Sequence, residues 1–174
     1  MRELRETILR QGQCVGDSIV KVDMFLNHRL DTRLMFAMGR ELADYFGKDK
    51  PDIVLTVEAS GIALALAAAH FLADSPVVFA NKRRAANQSA DMLTAVAHSF
   101  THGNDNALRV DRRYLPAGSR VLVVDDFLAD GEASRALISI VEQAGCTLVG
   151  VGIAVEKGFQ PGGRKLREAG VNLK

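Results

Sequence analysis

The sequence predicts an α/β protein built on a mostly parallel sheet that helices cover on both faces. Short apolar runs alternate along the chain with segments of helical periodicity, which is the order of βα units. The apolar runs contain few polar residues, as expected of strands that are buried on both faces. The chain has 174 residues, 48% of them hydrophobic, which is enough for one substantial core. We therefore expect a single domain over residues 1–174.

The first half of the chain contains two candidate strands, at 53–57 and 77–80, and candidate helices before each of them. Residues 31–46 are amphipathic and begin with Asp31, a typical N-cap. The stretch that starts at Ser60 is rich in Ala and Leu, which are strong helix formers. Residues 81–106 are more polar around a third candidate strand at 94–100. They predict a long loop or hairpin, not a further βα unit.

The second half predicts strands at 120–124 and 148–155 with a helix between them. After Gly131, apolar residues recur at helical spacing up to Ala144, and Gly145 supplies a stop signal. This order completes the pattern of a parallel sheet joined by helices.

Composition excludes several functional classes. The formal charge is +1, and the basic run at 82–84 has no aromatic platform, so we expect no nucleic-acid binding. No segment approaches the roughly 20 apolar residues of a membrane span, and no signal peptide is evident at the N-terminus. The two cysteines and four histidines lack metal-ligand spacing. A cytoplasmic protein that does not bind membranes is the simplest expectation.

The stretch VLVVDDFLADGEAS, residues 121–134, carries the clearest chemical signal. An apolar strand runs into Asp125 and Asp126, and a loop of small residues then leads into a helix. Ligands of open parallel sheets bind beyond the carboxyl ends of the strands, where N–H groups at a helix N-terminus hold anions. A second strand, tight loop and helix occurs at 56–61. Two such loops at one sheet edge suggest a ligand with two phosphate ends, whereas the Walker A and dinucleotide fingerprints are missing.

The same fourteen residues resemble the signature of the type I phosphoribosyltransferases. Five further blocks resemble the bacterial xanthine branch of that family, and they span nearly the whole chain: KVDMFLNHRLD at 21–31, the loop at 56–61, PVVFANK at 76–82, LTAVAHSFT at 93–101 and VEKGFQPG at 155–162. The resemblance implies a twisted, mostly parallel sheet flanked by helices. It also implies a small hood over the base site, formed mainly by residues 1–30 and the C-terminal end, and a flexible loop at about 81–106.

The resemblance further implies a purine-salvage reaction. 5-Phosphoribosyl 1-pyrophosphate (PRPP) and xanthine would give the nucleoside 5′-monophosphate and pyrophosphate, with guanine or hypoxanthine as further candidate bases. Magnesium bound with PRPP and a homodimer are part of the same expectation.

Roles follow for the residues that match the family motifs. The catalytic pair, Asp125 and Asp126, would face the ribose. PRPP would be held through its 5′-phosphate by Ala129, Asp130, Gly131, Glu132, Ala133 and Ser134, and through its pyrophosphate by Glu58, Ala59, Ser60, Gly61 and Lys82. The family also implies a cis peptide within 58–61.

Three other residues match the family's purine contacts. Lys157 would donate to the 6-oxo group, which favours an oxopurine over adenine. Asn27 would read the other edge of the purine, and Val20 would form a wall of the site.

The chain departs from the family pattern in three places. Asp130 and Glu132 stand where we expect uncharged amides, so both side chains should point away from the phosphate. Ala129 stands where hypoxanthine-using relatives have an aspartate, and the chain ends at Lys174, earlier than expected for a full hood. Two alternatives stay open: a noncatalytic PRPP-sensing regulator, and a structural protein with a degenerate site.

Overall fold

A computed structural model describes residues 1–16, 19–83, 91–98 and 105–174. These residues form five α-helices and eight strands. The helices are α1 (Arg2–Gln11), α2 (Thr32–Phe46), α3 (Gly61–Phe71), α4 (Glu132–Gln143) and α5 (Gly162–Glu168). The strands are β1 (Gln13–Val15), β2 (Ile19–Lys21), β3 (Ile53–Val57), β4 (Val77–Ala80), β5 (Met92–His98), β6 (Asp105–Asp111), β7 (Arg120–Leu128) and β8 (Thr147–Glu156).

Four strands form a parallel sheet in the order β4, β3, β7, β8. In β3 and β7, Ile53 pairs with Val121 and Leu55 with Val123. Continuing that register puts Val57, the last residue of β3, level with Asp125 of β7. The turn after β3 and the acidic pair therefore meet at the same edge of the sheet.

The sheet is covered on both faces, as the sequence predicts. Leu122 and Val124 of β7 pack in a buried cluster with residues of α2 and α3, while Val121 and Val123 pack in a second cluster with residues of α4, β5 and β6. Successive strand residues point to opposite faces, so β7 is apolar on both sides.

The fourth predicted strand is longer than expected. The sequence places its end at Val124, but pairing with β8 continues to Leu128 and includes Asp125 opposite Ile153 and Leu128 opposite Glu156. Asp125 and Asp126 therefore lie inside the strand and do not follow it. Main-chain pairing does not require an apolar side chain, so a charged pair does not end the ladder.

The polar segment forms a hairpin, which is one of the two structures predicted for it. Strand β5 begins two residues earlier than the predicted strand, and it pairs antiparallel with β6. Strand β6 was not predicted, although Leu108 and Val110 alternate with more polar residues in the manner of a half-buried strand. Residues 84–90 and 99–104 of the expected flexible loop lie outside the described residues.

The N-terminal region adds elements that the sequence did not predict. Strands β1 and β2 form a small antiparallel hairpin, and a π-helical turn follows at Asp23–Asn27. The predicted cap of α2 is present, because the Leu34 N–H donates to Asp31 Oδ1 at 3.1 Å. None of the helices in the described ranges is long and apolar enough to span a membrane.

Candidate active site

A cleft of about 260 Å³ opens at the carboxyl edge of the sheet. This volume is near the lower end of the roughly 300–1,000 Å³ typical of small-molecule sites. The cleft is lined by Val57, Glu58, Ser60 and Lys82, by Ala97, Asn106 and Leu108 of the β5–β6 hairpin, and by Asp125, Asp126, Phe127, Leu128, Ala129, Asp130, Gly131, Glu132, Ala133 and Ser134. Most of the predicted catalytic and PRPP-binding residues thus share one cleft, and Ala59 and Gly61 lie in the turn beside it.

Two adjacent carboxylates are buried at this edge. Asp125 is 5% exposed and Asp126 is 6% exposed. The Asp126 N–H donates to Asp125 Oδ1 at 3.0 Å. Burial raises the pKa of the Asp125 carboxyl well above its ordinary value, and the adjacent Asp126 raises that pKa further. The molecule therefore keeps the Asp125 carboxyl where its ionisation is unfavourable, a condition that is common at functional sites.

The start of α3 packs tightly against this carboxylate pair. A side chain at Gly61 would overlap Thr56 Oγ1 and would begin 2.7 Å from Asp125 Oδ1. Only glycine fits such an approach. Thr56 is fully buried, and its hydroxyl has no hydrogen-bond partner among the described residues.

The turn after β3 contains a cis peptide bond between Glu58 and Ala59, as the family resemblance implies. The Glu58 carboxylate accepts a 2.6 Å hydrogen bond from the main-chain N–H of Lys82. The Arg109 guanidinium donates to the Lys82 carbonyl at 3.2 Å. The main chain of Lys82 is therefore held from both sides while its exposed side chain can reach an anion in the cleft.

The loop after β7 presents a row of N–H groups. Gly131 adopts a φ of +84°, which favours glycine, and it caps the N-terminus of α4. Within the described ranges, we find no acceptor for the N–H groups of residues 130–133. Unpaired N–H groups at the start of a helix form an anion-binding site.

Gly162 was missed by the sequence analysis, although it supports this loop directly. Its N–H donates to the Ala129 carbonyl at 3.1 Å. A side chain at Gly162 would overlap that carbonyl oxygen and would begin 2.7 Å from the Gly131 nitrogen. The Gly162-Gly163 pair after Pro161 is a signal that could have indicated close backbone packing.

The two acidic residues of the loop have different surroundings. Glu132 forms an ion pair with Arg135, one turn further along α4. Asp130 has no cationic partner among the described residues. Both residues line the cleft. The ion pair with Arg135 supports the expectation that the Glu132 side chain points away from the phosphate. No contact of this kind supports it for Asp130 among the described residues.

The three predicted purine contacts do not line this cleft. The Nζ atom of Lys157 lies 5.9 Å from the ring centroid of Phe127, a cleft residue. Val20 and Phe127 pack against the same apolar cluster, and Asn27 is exposed at the end of the π-helical turn. Phe127 was not singled out from the sequence, although an aromatic residue beside the acidic pair is a possible platform for a planar base.

The donor set suits a magnesium ion that arrives with its own phosphate ligands. No cluster of three or more His, Cys, Asp or Glu side chains occurs in the part of the chain that the structure describes. Magnesium is usually bound by one or two carboxylates together with waters and substrate phosphates. Asp125 and Asp126 are the residues that would provide such carboxylates.

Comparisons with known proteins agree with this geometry. A family model described as phosphoribosyl transferase domain matches residues 26–170. Curated relatives named xanthine phosphoribosyltransferase include those of Heliobacterium modesticaldum (49% identical over 99% of this chain and 91% of the relative) and Geobacillus thermodenitrificans (46% identical over 99% and 89%). The solved adenine phosphoribosyltransferase of Rhodothermus marinus has a TM-score of 0.78 at 23% identity, covering 99% of this chain and 97% of that one. At that identity the structure supports the fold alone.

Asp125→Asn should raise stability at neutral pH. The folded protein holds the Asp125 proton more tightly than the unfolded chain does, so the carboxyl destabilises the fold as the pH rises above its ordinary pKa of 3.8. The variant lacks this ionisation. We expect a melting temperature at least about 3 °C higher at pH 7.5, with the difference shrinking towards pH 4.

Asp52→Asn is a control in which the substitution should affect stability in the opposite direction. Its hydrogen bonds with Arg120 lower the pKa of Asp52 to about 2, so this carboxylate stabilises the fold above its ordinary pKa. That small contribution is lost as the pH falls towards 2. Equal melting temperatures for Asp125→Asn and the unsubstituted protein from pH 4 to 8 would contradict the burial argument.

Gly162→Ala should weaken anion binding without unfolding the protein. The added methyl group must displace the loop at 129–131, because its nearest neighbours are main-chain atoms. We expect at least roughly tenfold weaker binding of ribose 5-phosphate by calorimetry, as expected when a preorganised site is distorted. Gly158→Ala is the matched control, since within the described ranges no atom other than those of the adjoining residues lies within 4 Å of the added carbon. Equal affinity in both variants would exclude a supporting role for Gly162.

Proposed function

The chain belongs to the phosphoribosyltransferase family, and from this premise we propose that it transfers a phosphoribosyl group from PRPP to a purine base. The 43–49% identity to xanthine phosphoribosyltransferases over nearly the whole chain favours xanthine as the base. The products are then xanthosine 5′-monophosphate and pyrophosphate, as in purine salvage.

One observation carries the proposal. A buried carboxylate pair lies between two main-chain turns, the cis-peptide turn after β3 and the N–H-rich loop after β7. Such turns suit two phosphate groups, and the carboxylates between them suit a sugar. PRPP has this order of groups: a 5′-phosphate, a ribose and a pyrophosphate.

The carboxylates act on the charge that develops at the ribose. As the bond from C1 to the pyrophosphate oxygen breaks, positive charge builds on the sugar while N9 of the purine approaches. Asp125 and Asp126 stabilise that charge, directly or through the ribose hydroxyls. Their burial strengthens the effect, because few water molecules screen it.

The two turns hold the phosphate groups. N–H groups of residues 130–133 and the Ser134 hydroxyl bind the 5′-phosphate, and the turn at 58–61 binds the pyrophosphate together with the Lys82 ammonium group. Magnesium, when bound with PRPP, supplies positive charge to the leaving pyrophosphate. Asp125 and Asp126 are the residues that would hold it.

The purine binds against Phe127, next to Lys157. A planar base can stack on the Phe127 ring, where the Lys157 ammonium group is close enough to reach its 6-oxo group. Val20 and Asn27 complete the site from the N-terminal hood, which consists of the β1–β2 hairpin and the π-helical turn.

The remaining expectations belong to the same proposal. The whole chain forms one domain, and the segment at 81–106 acts as a lid that keeps water from the activated sugar. A homodimer is supported by large apolar residues exposed on α2, α3 and the edge strand β4: Phe36, Leu66 and Phe79. Light scattering would test the dimer, and protection of the segment at 81–106 from proteolysis by PRPP would test the lid.

A PRPP-sensing regulator would use the same phosphate contacts without transfer. The curated relatives described above are named as transferases, which favours catalysis. The separating experiment mixes the protein with PRPP, magnesium and each purine base, and follows nucleotide formation by chromatography. We expect product with xanthine and little with adenine. PRPP binding without any product would support the regulator, and no binding would support a degenerate site.

Lys157→Met should impair use of the base and leave PRPP binding intact. Methionine keeps the length of the side chain and removes the donor, so kcat/KM for xanthine should fall about 10²-fold while KM for PRPP changes little. Lys165→Met on the exposed part of α5 is the matched control. Unchanged kcat/KM for xanthine in Lys157→Met would remove this lysine from the base site.

A further inference from the structure

The phosphate-binding loop contains two carboxylates of the same charge sign as its proposed ligand. Glu132 is the first residue of α4, lines the cleft and has a side chain that is only 14% exposed. Asp130 lies two residues earlier and also lines the cleft. A poorly exposed carboxylate is weakly screened by solvent, so Glu132 alone would repel a phosphate strongly.

Arg135 offsets the negative charge of the Glu132 carboxylate from outside the cleft. Its guanidinium pairs with the Glu132 carboxylate across one helical turn. Arg135 does not line the cleft that contains Glu132; it lines a separate groove between α4, β8 and α5, which we call the outer groove. The ion pair therefore holds the Glu132 carboxylate towards Arg135. A phosphate in the cleft then interacts mainly with the partial positive charges of the loop N–H groups.

We propose that Arg135 is a positioning residue for phosphate binding, which neutralises Glu132 and holds its carboxylate towards the outer groove. The proposal rests on the phosphoribosyltransferase function given above. It assigns no contact between Arg135 and the ligand. It explains how a loop with two acidic residues can still bind a sugar phosphate.

If Arg135 only stabilised the fold, its removal would lower the melting temperature and would not act on phosphate affinity through Glu132. An ion pair one turn apart on a partly exposed helix stabilises the fold only slightly. Loss of Arg135 should thus leave the melting temperature nearly unchanged. It should act on phosphate affinity instead, and only while Glu132 carries its charge.

The test is a double-mutant cycle on binding of ribose 5-phosphate by calorimetry and on KM and kcat for PRPP. We expect Arg135→Met to weaken ribose 5-phosphate binding and to raise KM for PRPP about tenfold, with kcat little changed. Glu132→Gln should bind at least as tightly as the unsubstituted protein. The double variant Arg135→Met/Glu132→Gln should regain the affinity of Glu132→Gln.

Asp130→Asn is the matched control, because this carboxylate has no cationic partner among the described residues. It should tighten binding by the same factor whether residue 135 is arginine or methionine. Equal weakening by Arg135→Met in the Glu132→Gln background would mean that arginine binds the phosphate itself, which overturns the proposal. No change in Arg135→Met would overturn it as well. Failure of the unsubstituted protein to bind ribose 5-phosphate would instead overturn the proposed function, and this proposal with it.

Discussion

Burial of two adjacent carboxylates at the edge of a parallel sheet is the constraint on which the site depends. Removing ionised groups from water is costly unless other groups compensate. Here the compensation within the described residues is partial: Asp125 accepts one main-chain N–H, and Lys82 is near enough for its charge to lower the pKa of Asp125 slightly. The raised pKa of Asp125 reflects the part of this cost that remains uncompensated. A cationic transition state at the ribose, with magnesium, would supply the missing positive charge.

The parallel fold brings the rest of the site to these carboxylates. Strands β3 and β7 run in the same direction and in register, so the turns that follow them meet at one edge. Gly61 lets α3 start against Asp125, and Gly162 lets α5 start against the loop at 129–131. Gly162 lies against main-chain atoms of that loop, and Gly61 lies against the side chains of Thr56 and Asp125. The packing of the two helices therefore holds both the loop and the carboxylate in place.

Much of this arrangement could be predicted from sequence, and the remainder has physical causes. Strands 53–57 and 77–80 were predicted with the observed bounds, because each is a nearly continuous apolar run. The extension of β7 through Asp125 was not predictable from hydrophobicity, since main-chain pairing with β8 determines it. Gly162 and the Arg135–Glu132 pair depend on contacts between or within elements that no single motif encodes. Phe127 was not singled out, because the motif that contains it is recognised by its two aspartates and its small residues.

The most direct measurement is a crystal structure of the protein with ribose 5-phosphate and magnesium. Our account predicts the 5′-phosphate within hydrogen-bonding distance of the N–H groups of residues 130–133, with the ribose hydroxyls facing Asp125 and Asp126. A phosphate bound elsewhere, or a cleft filled by the side chains of Asp130 and Glu132, would contradict it.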